Sequence, residues 1–237
     1  MIRFLTILTL FLTSLNLQAL ETVLLKRNNT YTFRGPVTWN SISHAQSSIL
    51  KLDSKLPKDE PIYLVLDTPG GSVFAGKAFL DAMKSIDREI KTVTMDAASM
   101  GFIFVQHLGE RLITPTGSLM SHRASGGVRG QFNGELESRL KYYKSVFRHM
   151  EKIVADRVGL SLEEYQKAII NEWWSYGEEA LDDNLADKLV NIKCSRALLK
   201  HRIKLKVSSF FGSYEVVYSG CPLISGPVDD DVKNEDE

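Results

Sequence analysis

Cysteine is almost absent from this chain, long apolar runs are confined to its first residues, and neither sign of charge is in surplus. Only Cys194 and Cys221 occur, and no Cys/His spacing matches a zinc site. Lys and Arg number 29 against 29 Asp and Glu, so the formal net charge is zero. A nucleic-acid binder relies on an excess of basic residues, and none is available here. No internal repeat is visible. The stretch GGSVFAGK, Gly70 to Lys77, lacks the spacing and the Ser/Thr of a Walker loop, so no nucleotide-binding loop is expected. With 43% hydrophobic and 24% charged residues, the composition is that of a globular protein with one sizeable core.

What is present begins with residues 1–19, which read as a secretory signal peptide. Arg3 supplies the positive start, Phe4 to Leu15 the apolar stretch, and Leu17-Gln18-Ala19 a cleavage site ending in a small residue. About twelve apolar residues are too few for a comfortable membrane span, and no second such run follows. The chain is therefore expected to be exported, periplasmic or secreted. Residues 20–228 form the expected domain, and residues 229–237 an acidic tail expected to be disordered. In an exported protein an even cysteine count predicts a disulfide between Cys194 and Cys221.

Ile62 to Leu66 is a short apolar run bounded by Pro61 and by a Pro-Gly-Gly turn, which is the pattern of a buried parallel strand. A helical pattern over Val73 to Ile86, a strand at Ile90 to Met95 and an apolar helix from Ser99 to Leu108 follow. Leu112-Ile113 and Ser118 to Ser121 read as two short strands around a Pro-Thr-Gly turn. This alternation predicts an α/β fold with a mainly parallel sheet. Beyond Gly126-Gly127, apolar residues at three- and four-residue steps predict one long helix over Glu135 to Val158. Ser161 is placed to cap the next helix, and Glu178 to Leu189 reads as a third helical piece.

Three features fall at the carboxyl ends of consecutive predicted strands, where open α/β sheets carry their sites. These are Gly70-Gly71, Ser99 and His122. Each has an ordinary structural reading as a turn, a helix cap and a strand-end histidine. Together they offer a hydroxyl at a helix start, an imidazole, and backbone that a substrate oxygen can approach. His44, His107, His149 and His201 lie in helical or basic surroundings and read as structural.

In combination these segments resemble the Clp protease proteolytic subunit family. Pro61 to Gly76 (PIYLVLDTPGGSVFAG) is similar to that family's strand and its Ser-Pro-Gly-Gly loop, with Thr68 in place of the serine. Ala97 to Gly101 (AASMG) is similar to its nucleophile segment. Leu119 to His122, with Gly126-Gly127 beyond, resembles its Met-Ile-His-Gln-Pro segment and glycine pair, and Arg34 to Val37 also fits. The likeness runs from about Tyr31 to Leu189. It implies the parallel-sheet fold shared with crotonase-type enzymes, flanked by helices and carrying a long handle-type helix.

By that resemblance Ser99 is the nucleophile and His122 its general base. The backbone N–H groups of Gly70 or Gly71 and of Met100 form the oxyanion hole, and no metal or organic cofactor is required. The acid of the triad corresponds to Glu172 within Ile170-Asn-Glu-Trp-Trp174, where the family carries an aspartate preceded by arginine; Asn171 is the alternative. The resemblance implies a ring-shaped homo-oligomer acting on peptides or unfolded proteins. An ATPase partner is not expected for an exported chain. Two other readings stay open: an inactive exported scaffold that has kept the fold, and a crotonase-type acyl-transfer enzyme.

Overall fold

The computed structural model describes residues 20–209 and 212–228. The signal-peptide reading of residues 1–19 and the tail reading of 229–237 lie outside the described residues. In chain order the elements are β1 (Thr22–Leu25), β2 (Thr30–Arg34), α1 (Trp39–Asp53), β3 (Ile62–Thr68), α2 (Val73–Met83), β4 (Ile90–Ala98), α3 (Met100–His107) and β5 (Arg111–Ser121). Then follow α4 (Glu135–Val158), α5 (Leu162–Ala168), β6 (Trp173–Tyr176), α6 (Glu179–Asp182), β7 (Lys188–Leu189), β8 (Asn191–Cys194), α7 (Arg196–Lys200), β9 (Arg202–Ser209) and β10 (Gly212–Ser219).

The main sheet has the order β2-β3-β4-β5-β6. The first four strands are parallel, and β6 runs antiparallel at the edge beside the end of β5. This is the α/β architecture with a mostly parallel sheet and flanking helices that the alternating pattern predicts. The central strands are apolar on both faces because both are covered. Leu64 and Leu66 of β3 enter the larger core with Ile42 and Ile49 of α1, Phe79 of α2, Phe102 and Phe104 of α3, and Val154 of α4. Val65, Val93 and Leu112 point the other way, against Val23 and Leu25 of β1, Leu198 of α7, and both cysteines. Cys194 and Cys221 are joined in a disulfide, with Cα atoms 5.8 Å apart, as the cysteine count predicts.

Two local expectations need correcting. The segments on either side of the Pro-Thr-Gly turn form one strand, β5, which runs through Pro115. Its first half pairs with β7 and its second half with β6 on the same side, so different neighbours satisfy its two ends. Residues 178–189 are not one helix. After the single turn of α6, Asn184 takes φ +55°, and the chain leaves the helix to run beside β5. There Asp187 accepts the Arg111 backbone N–H at 2.8 Å and its Nε at 3.0 Å. That tertiary ion pair outweighs a weak local helical pattern. The helix over Glu135–Val158 and the Ser161 cap with its Glu164 partner match the sequence reading.

Candidate active site

The site is built where β3, β4 and β5 end side by side. β4 runs three residues past its expected end and stops at Ala98; the chain then turns at Ser99 into α3. Ser99 holds φ +54° and ψ −115°, a conformation costly for a residue with a side chain. Its N–H is anchored on the Met120 carbonyl at 2.8 Å, tying the turn to the neighbouring strand. Although Ser99 stands at the cap position of α3, its hydroxyl makes no capping hydrogen bond. It lies instead 2.7 Å from His122 Nε2, which follows directly after β5. The structure thus joins the two residues that sequence spacing singled out separately.

Gly70 and Gly71 sit against this turn, for different reasons. Gly70 has φ +84°, and a Cβ there would stand 2.6 Å from Ser99 Cβ and 2.7 Å from the Met100 nitrogen. Only glycine lets the loop approach the serine this closely. Its own N–H, however, is donated to Thr68 Oγ1 at 3.1 Å, while the Thr68 hydroxyl donates to the Gly35 carbonyl at 2.7 Å. Gly70 is therefore not a free donor, which narrows the expected pair of glycines to Gly71. The loop carrying Gly71 is pinned by Val37, whose N–H donates to the Gly70 carbonyl at 2.7 Å and whose carbonyl accepts from Ser72 at 2.8 Å. Among the described residues no acceptor takes the N–H of Gly71, nor that of Met100 at the first turn of α3. Two unpaired N–H groups next to a hydroxyl–imidazole pair can stabilise negative charge on an oxygen that the hydroxyl attacks.

The acid segment is arranged differently. The β5–β6 register pairs Ser121 with Trp173, so Glu172 comes one step later, in line with His122. Glu172 takes φ +69°, and its exposed carboxylate accepts the Trp174 indole N–H at 2.9 Å. Among the described residues the hydrogen bond of the His122 ring is the one to Ser99, so neither Glu172 nor Asn171 is joined to it. Nearby, the Ser121 hydroxyl and the Tyr165 phenol are 2.6 Å apart in the core. Burial pushes the Tyr165 phenol up to about 12 despite the hydrogen bond to Ser121, so it stays neutral. The pair fastens α5 to the strand that delivers His122.

Three groups lie in segments the sequence reading named, but their roles in the site were not read: the Val37 backbone, the Met120 carbonyl and the hydroxyl of Thr68. Val37 and Met120 act through their own backbone, which residue type does not announce, and the Thr68 hydroxyl acts on the backbone of Gly35 and Gly70. Among the described residues no group of His, Cys, Asp and Glu is placed to hold a metal ion, and no helix is long and apolar enough to cross a membrane.

Comparison with known proteins places this geometry in a family. The ATP-dependent Clp protease proteolytic subunit of Streptococcus suis is 32% identical over 161 residues, covering 66% of this chain and 82% of that protein. The proteins of the same name from Streptococcus sanguinis and Streptococcus pyogenes serotype M5 are 31% and 30% identical over 160 residues, covering 66% of this chain and 81% of each. The family described as Clp protease matches residues 18–193. A hydroxyl–imidazole pair at a strained strand–helix turn, in a chain matched over most of its length, identifies this protein as a member of the Clp protease family of serine peptidases.

Proposed function

We propose that this protein is an exported serine endopeptidase that hydrolyses peptides and unfolded chains without ATP. The observation that carries the reading is the 2.7 Å contact between Ser99 Oγ and His122 Nε2 beside two unpaired backbone N–H groups. His122 takes the Ser99 proton as Oγ attacks the peptide carbonyl carbon, and the oxyanion rests on the N–H groups of Gly71 and Met100. Collapse of the intermediate breaks the C–N bond, and His122 returns the proton to the leaving amine. Water then attacks the acyl-enzyme by the same route and regenerates the Ser99 hydroxyl.

Glu172 is the proposed acid, with Asn171 as the alternative. To serve, the Glu172 carboxylate leaves the Trp174 indole and meets His122 Nδ1, the neighbour its register position gives it. There it balances the imidazolium charge formed during attack. Assembly into a ring, with α4 in the joining handle, is proposed from the family resemblance. Export rests on the character of residues 1–19, and it places the protein where ATP is scarce. An unfoldase-free peptidase is limited to peptides and unstructured chains, because a folded domain resists opening by about 5–15 kcal/mol.

Labelling with a serine-directed fluorophosphonate tests the reading. Label on the wild type that is lost in Ser99→Ala is the expected result, with a fluorogenic peptide cleaved equally with and without ATP and a folded reporter left intact. A second reading, a scaffold without a competent triad, rests on the separation of Glu172 from His122. A folded protein that takes no label would establish it. Cleavage that requires ATP and a co-purifying ATPase would overturn the energy-independent part.

A further inference from the structure

A large cavity that does not include Ser99 lies at the β2 edge of the sheet. About 1400 Å³ opens between β2, the outward side of α1 and the segment around α7 and the end of β10. Its last wall is built by residues beyond 193, where the family match ends. The disulfide holds that wall, since Cys194 precedes Ser195 and Cys221 sits between Gly220 and Pro222, all of which line the cavity. Arg34 adds a second tie, donating to the Pro222 carbonyl at 2.8 Å and to Asp67 at 2.7 Å.

The charge around this cavity is one-sided. Lys26, Arg27, Lys51, Lys55 and Arg202 line it, and no Asp or Glu does. Among the described residues none of these five cations has a carboxylate partner; Arg202 reaches only the Leu199 carbonyl. The field is felt by a neighbour: burial, with the Arg27 charge added, holds His201 below the ordinary imidazole range. A cleft lined by one sign of charge concentrates ligands of the other sign. β2 is the edge strand of the main sheet, so one side of its backbone is not paired within that sheet. An extended chain can pair with such an edge while its side chains meet the surrounding groups.

We propose that this cavity binds the acidic segment of residues 229–237 of the same chain. Those residues lie outside the described part, and their sequence is Asp-Asp-Asp-Val-Lys-Asn-Glu-Asp-Glu, with six carboxylates against one ammonium. They follow Val228, whose N–H donates to the Val217 carbonyl at 2.8 Å. The adjacent Pro227 bridges Tyr218, a residue of the cavity wall. Nine residues reach up to about 30 Å when extended, enough to cross a cavity of this size from its rim. A foreign acidic peptide shares the same chemistry, and the test separates the two sources.

Anisotropy of a labelled peptide with the sequence of residues 229–237 is to be measured on the full protein, and on a variant whose six tail carboxylates are changed to Asn or Gln. The neutral-tail protein is expected to bind, to weaken as salt rises, and to lose about tenfold or more in affinity on Lys51→Glu with Lys55→Glu. Tenfold weaker binding by the wild-type protein identifies its own tail as the occupant. Equal binding by both assigns the site to an acidic peptide supplied by another protein. Lys26→Glu with Arg27→Glu serves as an independent pair, with thermal unfolding as the check that each variant folds. No binding by the neutral-tail protein, equal binding of a peptide with amides in place of the carboxylates, or indifference to both charge reversals overturns the proposal.

Discussion

The turn at residues 96–101 and the segment at residues 170–174 carry the two halves of one candidate site, yet they are held in opposite ways. Around Ser99, buried parallel strands end together, and every approach is fixed by backbone: Met120 on the Ser99 N–H, Gly70 against its Cβ, Val37 behind the glycine loop. Around Glu172 the chain enters β6, a four-residue edge strand on which Trp174 and Tyr176 are exposed. A carboxylate there is free to take a neighbour two residues away rather than the imidazole. Position within the sheet decides the contrast. Groups at the ends of central strands inherit the rigidity of the core, whereas groups at an edge choose among local partners.

The sharpest way to break the rigid half is Gly70→Ala. The added methyl would meet Ser99 Cβ, the Ala98 carbonyl and the Met100 nitrogen at 2.6–2.7 Å, so peptide turnover should fall by about 10⁴-fold or more. Full activity in a folded Gly70→Ala protein would show that the close approach is dispensable. In the looser half, Glu172→Gln should lower kcat by about 10³-fold with the fold intact, because the imidazolium loses its counter-charge. Asn171→Ala should do much less, and the reverse ranking would transfer the role to Asn171.

Two further tests address regions remote from both halves and set the scale for purely structural effects. Replacing both Cys194 and Cys221 by serine removes a cross-link between residues 27 apart. Chain entropy puts the loss at about 3–4 kcal/mol in denaturant unfolding, with Ser99 labelling retained at low temperature. His107 is the other. Burial pushes its imidazole down to about 4, although its hydrogen bond to the Ile103 carbonyl opposes the shift. The folded state therefore resists a proton that the unfolded chain takes up near 6.5. The resulting stability is complete above pH 6.5 and is lost as pH falls from there towards 4, by roughly 2–3 kcal/mol. Thermal midpoints across that window should flatten in His107→Gln, and an unchanged slope would place the titration elsewhere.

The smallest effect expected bears most directly on the contrast itself. Trp174→Phe removes the indole N–H that holds Glu172, an exposed hydrogen bond worth about 1 kcal/mol or less. Freed, Glu172 should populate the position beside His122 more often and raise turnover about threefold. Unchanged kinetics would mean that the indole does not compete with the imidazole for this acid.

Much of the fold was legible because its signals are local. The run Ile62 to Leu66 is apolar at each position and forms a buried strand. The three- and four-residue steps from Glu135 to Val158 give one helix with those bounds. Ser99 and His122 could be singled out because each follows an apolar strand pattern, although β4 runs on to Ala98 and β5 is one strand rather than two. The hairpin of β9 and β10 went unread even though Arg202 to Val207 alternates charged and apolar residues, a usable strand signal. Lys188–Leu189 was misread because its strand exists only by virtue of Leu112 and Ile113 beside it.

By itself, then, the sequence determined the alternation of strands and helices, the long helix, the disulfide partners and the two residues that meet at the strand ends. The first two follow from side-chain periodicity and turn chemistry, which act within a few positions of the chain; the disulfide follows from residue count, and the pairing of the two residues from the family resemblance. Tertiary structure alone decided that Gly71 rather than Gly70 keeps a free N–H, and that Glu172 rests on Trp174. It also decided that cations from the β1–β2 turn, α1 and the start of β9 surround one cavity. Thr68 and Trp174 lie only two residues from the groups they hold, so there the folded backbone settles which local contact forms, whereas the cations come together from distant segments. Spacing in the sequence carries no record of where such groups come to lie.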